Sequence, residues 1–227
     1  MPNFSELRAE MVRRYRRAGY IKTEVIARAV MSVPREEFMS PSYVEYSYVD
    51  QPFPIPGDGR QTISAPYMYP MFYEPLGLKA GERLLEVGAG SGYGAALARE
   101  LVGPEGFVVS MEINPATFRF AKENLKRTGY DDVVLVLGDG SLGHPEMAPY
   151  DAICVTAACP EIPQPLIEQM GAPGRLMAPV GGSYSLYGQD LVLLEKDAEG
   201  HMEKRVLMKV SYVPLTGKHG YSRRERG

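Results

Sequence analysis

From Glu82 onward, short aliphatic runs alternate with longer amphipathic stretches, and this alternation constrains the fold more than any other feature of the chain. Arg83 to Val87, Phe107 to Met111, Val133 to Leu137, Ala152 to Val155 and Arg175 to Val180 read as strands. Tyr93 to Val102 reads as a helix ended by Gly103-Pro104; Pro115 to Arg127 reads as a second, with proline in its first turn, and Gln164 to Met170 as a third. Near-continuous Val, Leu and Ile runs suit a parallel sheet covered on both faces. Asp190 to Lys196 and Arg205 to Val213 lie too close together for a helical crossover, so they are expected as an antiparallel edge pair. The expected fold is α/β, with a doubly wound, mostly parallel sheet.

The first third of the chain has a different pattern. Ser5 to Gly19 is expected to be a helix, with Leu7, Met11 and Tyr15 at fourfold spacing, Ser5 as cap and Gly19 as stop. Thr23 is placed to cap a second helix running to about Val33, where Pro34 ends it. Asp50 to Gly59 alternates Pro or Gly with apolar residues and reads as a loop or short edge segment. Met68 to Leu76 reads as helix up to Pro75 and Gly77. The 227 residues suit one domain, in which an extension over 1–80 helps to lid a core over 81–227.

Composition narrows the classes of function. The net charge of −3 offers no clustered cations for phosphate contacts, so no nucleic-acid partner is expected. The short basic tail from Tyr221 to Gly227 reads as a solvated end. Met1 to Gly19 is too charged for a signal peptide, and no run approaches the ~18 apolar residues of a membrane span. A cytoplasmic protein is expected, as a monomer or small homo-oligomer, with Cys154 and Cys159 as reduced structural thiols. His144, His201 and His219 are too scattered to complete a metal site with them.

The chemistry-bearing motif follows the first strand. Gly88, Gly90, Gly92 and Gly94 repeat every second residue, so the turn has neither the G-x-G-x-x-G register of pyrophosphate sites nor a Walker sequence. Alone it is compatible with a tight strand-to-helix turn and nothing more. Two acids at successive strand ends add to it. Glu112 lies 24 residues after Gly88, close to the ~20-residue offset at which an acid meets ribose hydroxyls. Asp139 closes the third strand, and its carboxylate with the Gly140 amide is suited to an adenine edge. A nucleoside without phosphates fits these features best, and S-adenosylmethionine is such a ligand.

Several segments then resemble one family throughout the chain. Thr62-Ile63-Ser64-Ala65-Pro66-Tyr67-Met68 is similar to the signature of protein-L-isoaspartate (D-aspartate) O-methyltransferases. Val33-Pro34-Arg35-Glu36-Glu37-Phe38 resembles the family's early V-P-R-x-x-F, and Leu85 to Tyr93 its first methyltransferase motif. Gly138-Asp139-Gly140, Ala148 to Ile153, Val155 to Ala158, Pro160 to Pro163, Gly174 to Leu176, Pro179 to Gly181 and Val213 to Thr216 follow in the family's order.

The resemblance implies a class I S-adenosylmethionine-dependent methyltransferase fold, with S-adenosylmethionine as cofactor and isoaspartyl proteins and peptides as substrates. It places the family's catalytic serine on Ser64. Thr62, Ile63, Tyr67, Glu86, Gly88, Ala89, Gly90, Ser91, Gly92, Tyr93, Glu112, Ile113, Asp139, Gly140 and Thr216 become the expected cofactor contacts. Thr62, Ser64, Ala157, Ala158, Pro160 and Pro214 become the expected substrate contacts. Cys159, Met71 to Glu74 and Gly182 to Gln189 depart from the family pattern, and the latter two segments are where a repurposed groove acting on a small molecule or RNA would show. A non-catalytic cofactor-binding module is a further alternative. The glycine spacing disfavours a nicotinamide oxidoreductase.

Overall fold

The computed structural model describes residues 3–182 and 188–222. Two helices open the chain, α1 (Phe4–Ala18) and α2 (Glu24–Ser32). Asn3, not Ser5, caps α1, its side chain accepting from the Glu6 N–H. The expected stop holds: Gly19 takes φ 76°, and its N–H meets the carbonyls of the last turn. Thr23 caps α2 as expected, accepting from the Ile26 N–H. Two short 3-10 turns that sequence periodicity did not reveal, Arg35–Phe38 and Pro41–Tyr46, follow Pro34.

The proline-rich segment then forms a small hairpin, β1 (Phe53–Pro54) paired antiparallel with β2 (Thr62–Ile63). Helix α3 (Met68–Leu76) keeps Pro75 in its last turn and ends at Gly77, where φ is 59°. The core elements are β3 (Arg83–Val87), α4 (Tyr93–Val102), β4 (Phe107–Glu112), α5 (Pro115–Thr128), β5 (Val134–Leu137), β6 (Tyr150–Val155), α6 (Gln164–Gln169), β7 (Met170–Val180), β8 (Gln189–Lys196) and β9 (Met202–Val210). They form one seven-stranded sheet in the order β5-β4-β3-β6-β7-β8-β9. The pairs from β5 through β7 are parallel, and β8 and β9 add antiparallel to that edge. Part of the divergent loop, 183–187, and the tail residues 223–227 lie outside the described residues.

The central strands β3, β4 and β6 are buried on both faces, as their aliphatic sequences require, while the edge strands β5 and β9 are more exposed. Leu84, Val108, Ala152, Cys154 and Met177 point into one cluster, which also takes in Met11, Tyr15, Val30 and Phe38 from the N-terminal segment. Leu85, Val109, Ile153, Val155 and Leu176 alternate to the other face, packed with Leu166 of α6. The first cluster presses α1, α2 and α3 against the sheet face that carries Glu86, so the N-terminal segment reaches the carboxyl ends of the strands. Strand order reverses between β3 and β6, the place where ligands bind in doubly wound sheets.

The last expected strand ends earlier than its composition suggests. β9 stops at Val210, and the chain then crosses the strand ends instead of continuing along the edge. The Ala158 N–H donates to the Val213 carbonyl at 2.8 Å, and the Leu215 N–H donates to the Ala158 carbonyl at 2.6 Å. Pro214, between them, has no N–H to offer a sheet.

Candidate active site

One cleft of about 1230 Å³, measured out to its open mouth, lies at this switch point. Four parts of the chain meet around it: the β1–β2 hairpin and α3, the glycine turn after β3, the ends of β4 and β6, and the segment after β9.

The glycine turn is shaped by backbone conformations that side chains resist. Gly88 and Gly90 have φ of 102° and 55°. A Cβ on Gly88 would lie 2.5 Å from Thr156 Oγ1, which itself donates toward the carbonyls of Val87 and Gly88 at 3.1 and 2.6 Å. Thr156 thus ties the end of β6 to the turn. Glu112 fixes the other side: its carboxylate accepts from the N–H of Gly90 at 3.1 Å and of Asn114 at 2.9 Å. Burial raises its pKa against those bonds.

Glu86 is the most perturbed acid in the cleft. It is 1% exposed and accepts from the Ser110 hydroxyl. Desolvation pushes its carboxyl up to about 8; the Ser110 bond opposes this and the nearby Glu112 charge reinforces it. A buried, proton-holding carboxyl beside a glycine turn is a group that a cationic ligand would ionise.

The expected site residues divide into those that face the cleft and those behind it. Thr62, Ser64, Glu86, Gly88, Ala89, Gly90 and Ser91 line it. So do Glu112, Ile113, Gly140, Ala157, Pro214 and Thr216. Ile63, 1% exposed, belongs to the core. Tyr67 packs on Tyr20, with ring centroids 5.7 Å apart. Gly92, the N-cap of α4 at φ 86°, faces α5, where a Cβ would meet Leu125 at 3.0 Å. Tyr93 is buried against Phe38 and Tyr69. Ala158 is buried under the strap after β9, and Pro160 is exposed away from the lining.

Asp139 also stands outside the lining, with its carboxylate engaged in loop contacts. It accepts from the Ser141 N–H and hydroxyl at 3.0 and 2.7 Å, and from the Lys218 N–H at 2.7 Å. Asp139 therefore ties the C-terminal strap to the end of β5, next to Gly140.

Several lining residues escaped the sequence reading. Tyr69, Phe72 and Tyr73 line the cleft from α3, and Tyr212 joins them from the strap. The i, i+3, i+4 spacing of 69, 72 and 73 is the face of a helix, a signal present in the sequence. Asp58 at the hairpin tip and Thr156 had no such signal, because neither belongs to a periodic segment.

The cleft fits a nucleoside with a charged tail. It offers a tight glycine turn, an acid fixed at the ribose offset, an apolar shelf at Met111 and Ile113, and the buried Glu86 at the far end. Fold and site together define a protein of the class I S-adenosylmethionine-dependent methyltransferase fold. The protein-L-isoaspartate(D-aspartate) O-methyltransferase family model matches residues 6–220, and the chain belongs to that family. It is 44% identical over 223 residues to the protein-L-isoaspartate O-methyltransferase of Methanopyrus kandleri, covering 98% of this chain and 96% of the relative. It is 47% identical over 203 residues to the Pyrococcus horikoshii protein of the same name, covering 89% and 90%. Among solved structures, a protein-L-isoaspartate O-methyltransferase superposes with a TM-score of 0.84 at 32% identity, over 94% of this chain and 67% of that one. Another, described as a Plasmodium falciparum enzyme of this kind in complex with S-adenosyl-L-homocysteine, gives 0.80 at 25% identity, over 95% and 99%.

Among the described residues, no helix is long and apolar enough to cross a membrane, and no group of three His, Cys, Asp or Glu side chains is placed to hold a metal ion. Cys154 and Cys159 are buried and unpaired.

Proposed function

We propose that this chain repairs damaged proteins by moving a methyl group from S-adenosylmethionine to the α-carboxyl of L-isoaspartyl residues. One observation carries the reading beyond family membership: Ser64, from the signature segment outside the sheet, shares a single cleft with the glycine turn and Glu112. Methyl donor and methyl acceptor thereby have adjoining places.

When bound, the sulfonium supplies an activated methyl group with a neutral thioether as leaving group. The substrate carboxylate is already an anion at neutral pH, so no side chain must remove a proton from it. What remains for the protein is positioning and desolvation. Ser64 and Thr62 orient the carboxylate through their hydroxyls. Glu86 and the turn from Gly88 to Ser91 hold the methionine end, and Glu112 holds the ribose. Ile113 and Gly140 face the adenine, while Asp139 fixes that edge by retaining the strap that carries Thr216. Ile63, Tyr67, Gly92 and Tyr93 support the cradle from behind. Ala157 and Pro214 form the substrate rim, with Ala158 holding the strap in place.

We read residues 1–227 as one methyltransferase domain, because a continuous buried cluster joins Met11 of α1 to Val210 of β9. The unpaired buried thiols suit a reducing cytoplasm.

The test is incubation with labelled S-adenosylmethionine and paired isoaspartyl and aspartyl peptides. Methylation of the isoaspartyl member alone is expected; equal labelling of both would overturn the substrate assignment. Ser64→Ala is expected to cut turnover far more than cofactor affinity.

A further inference from the structure

Among the described residues Arg35 is the largest fully buried side chain, with 0% exposure. A buried charge is costly unless it is paired, and among the described residues no carboxylate forms an ion pair with it. Neighbouring Glu36 is committed elsewhere, to Arg8 at 2.7 Å and to the Tyr48 hydroxyl. Two main-chain carbonyls compensate the guanidinium instead: Nε donates to Ser47 at 2.7 Å and Nη2 donates to Ser64 at 2.8 Å. Two aromatic faces complete the setting, with the guanidinium carbon 5.8 Å from the Tyr69 centroid and 5.3 Å from that of Tyr93. Nη1 is buried with no hydrogen-bond partner.

This arrangement links the two halves of the cleft. Tyr93 opens α4 directly after the glycine turn, and Tyr69 lines the cleft from α3, their rings 4.7 Å apart and nearly perpendicular. Arg35 lies against both while gripping the carbonyl of Ser64. Burial raises the Tyr69 phenol, and the positive charge of Arg35 opposes that shift.

We propose that Arg35 is a positioning residue for methyl transfer: it fixes the Ser64 main chain relative to the glycine turn and lends an unneutralised buried positive charge to the end of the cleft that receives the substrate carboxylate. It does so without lining the cleft. The inference rests on the reading that Ser64 orients that carboxylate. Lysine retains the charge but lacks the planar fork that serves Ser47 and Ser64 together.

The experiment is a double-mutant cycle between Arg35→Lys and Ser64→Ala, measuring kcat and KM for an isoaspartyl peptide, with S-adenosylhomocysteine affinity by calorimetry. R35K alone is expected to lower kcat/KM by roughly 10²-fold, mainly through kcat, as displacement of a positioning group does. S-adenosylhomocysteine affinity is expected to stay within about threefold of wild type, since the cofactor contacts are unchanged. With Ser64 already alanine, R35K should add only a small further loss, because the two residues act in series. Full additivity, or a parallel collapse of S-adenosylhomocysteine affinity, would overturn the inference. An inert S64A with a damaging R35K would also overturn it, and would separately remove the role given to Ser64. Should R35K not fold, Arg35→Gln, neutral but with a planar donor for one carbonyl, runs the same cycle with the same criteria.

Discussion

Glu86→Gln separates the charge of the buried acid from its shape. The folded protein keeps the Glu86 carboxyl protonated to about pH 8, against an ordinary value of 4.5. Between those values the folded state binds more protons than the unfolded chain, so stability falls as pH rises across the window. At about 1.36 kcal/mol per pKa unit, wild type should lose about 3–4 kcal/mol from this group between pH 5 and pH 8. Glutamine can still accept from Ser110 and has no proton to lose. Other titrating groups are common to both proteins and cancel in the difference. For a domain of this size, the melting temperature of E86Q relative to wild type should therefore climb by roughly 10 °C over that range. Thermal unfolding of both proteins, free of ligand, at half-unit pH steps measures this directly. Parallel curves, with a difference independent of pH, would show that Glu86 is solvated or otherwise compensated, and the account of a proton-holding carboxyl would fail.

The same residue predicts a linkage with the cofactor. A cationic ligand beside Glu86 lowers its pKa, so binding of S-adenosylmethionine at pH 7 should release up to one proton from wild type and none from E86Q, read by calorimetry in buffers of different ionisation enthalpy. Gly88→Ala meets both an unfavourable φ of 102° and a 2.5 Å approach to Thr156 Oγ1. It should cost roughly 1–3 kcal/mol of stability and weaken cofactor binding in a titration. Asp139→Ala removes the acceptor for Ser141 and Lys218. Amide hydrogen exchange at 217–220 should quicken, at a stability cost of roughly 1–3 kcal/mol; unchanged exchange there would show that the strap is held by other contacts.

The parts of the molecule legible in the sequence are those governed by a period or by a rigid backbone demand. Strand β3 and helix α4 fall on the expected residues because aliphatic runs and a glycine stop admit few alternatives. The sheet edge was readable from the spacing of its last strands. The Asn3 cap was missed because Ser5 is an equally good acceptor, and only the geometry of the first turn distinguishes them. The cleft was half legible. Glycines and strand-end acids advertise themselves through local chemistry, whereas Arg35, Tyr69 and Thr156 matter through contacts with residues 29, 24 and 68 positions away. Asp139 shows the converse: its position at a strand end was read correctly, but its carboxylate is engaged by a strap 79 residues further on.

Charges of both signs meet around the cleft. Glu86, Glu112 and Asp58 line the cleft, and the guanidinium of Arg35, outside the lining, holds the Ser64 carbonyl and lies against Tyr69 and Tyr93. The carboxyls favour a sulfonium and the buried guanidinium favours a carboxylate, so both charges of the reacting pair find a counterpart around one cleft. Transfer of the methyl group removes both charges at once, leaving a thioether and an ester. Each product then keeps its shape complementarity but loses the attraction made through the sulfonium or the substrate carboxylate, while the ammonium of the cofactor's methionine end is unchanged. On this argument the buried acid and the buried base serve product release as much as binding. The device depends on the N-terminal segment, because the sheet supplies Glu86 and Glu112 and the segment before it supplies Asp58 and Arg35.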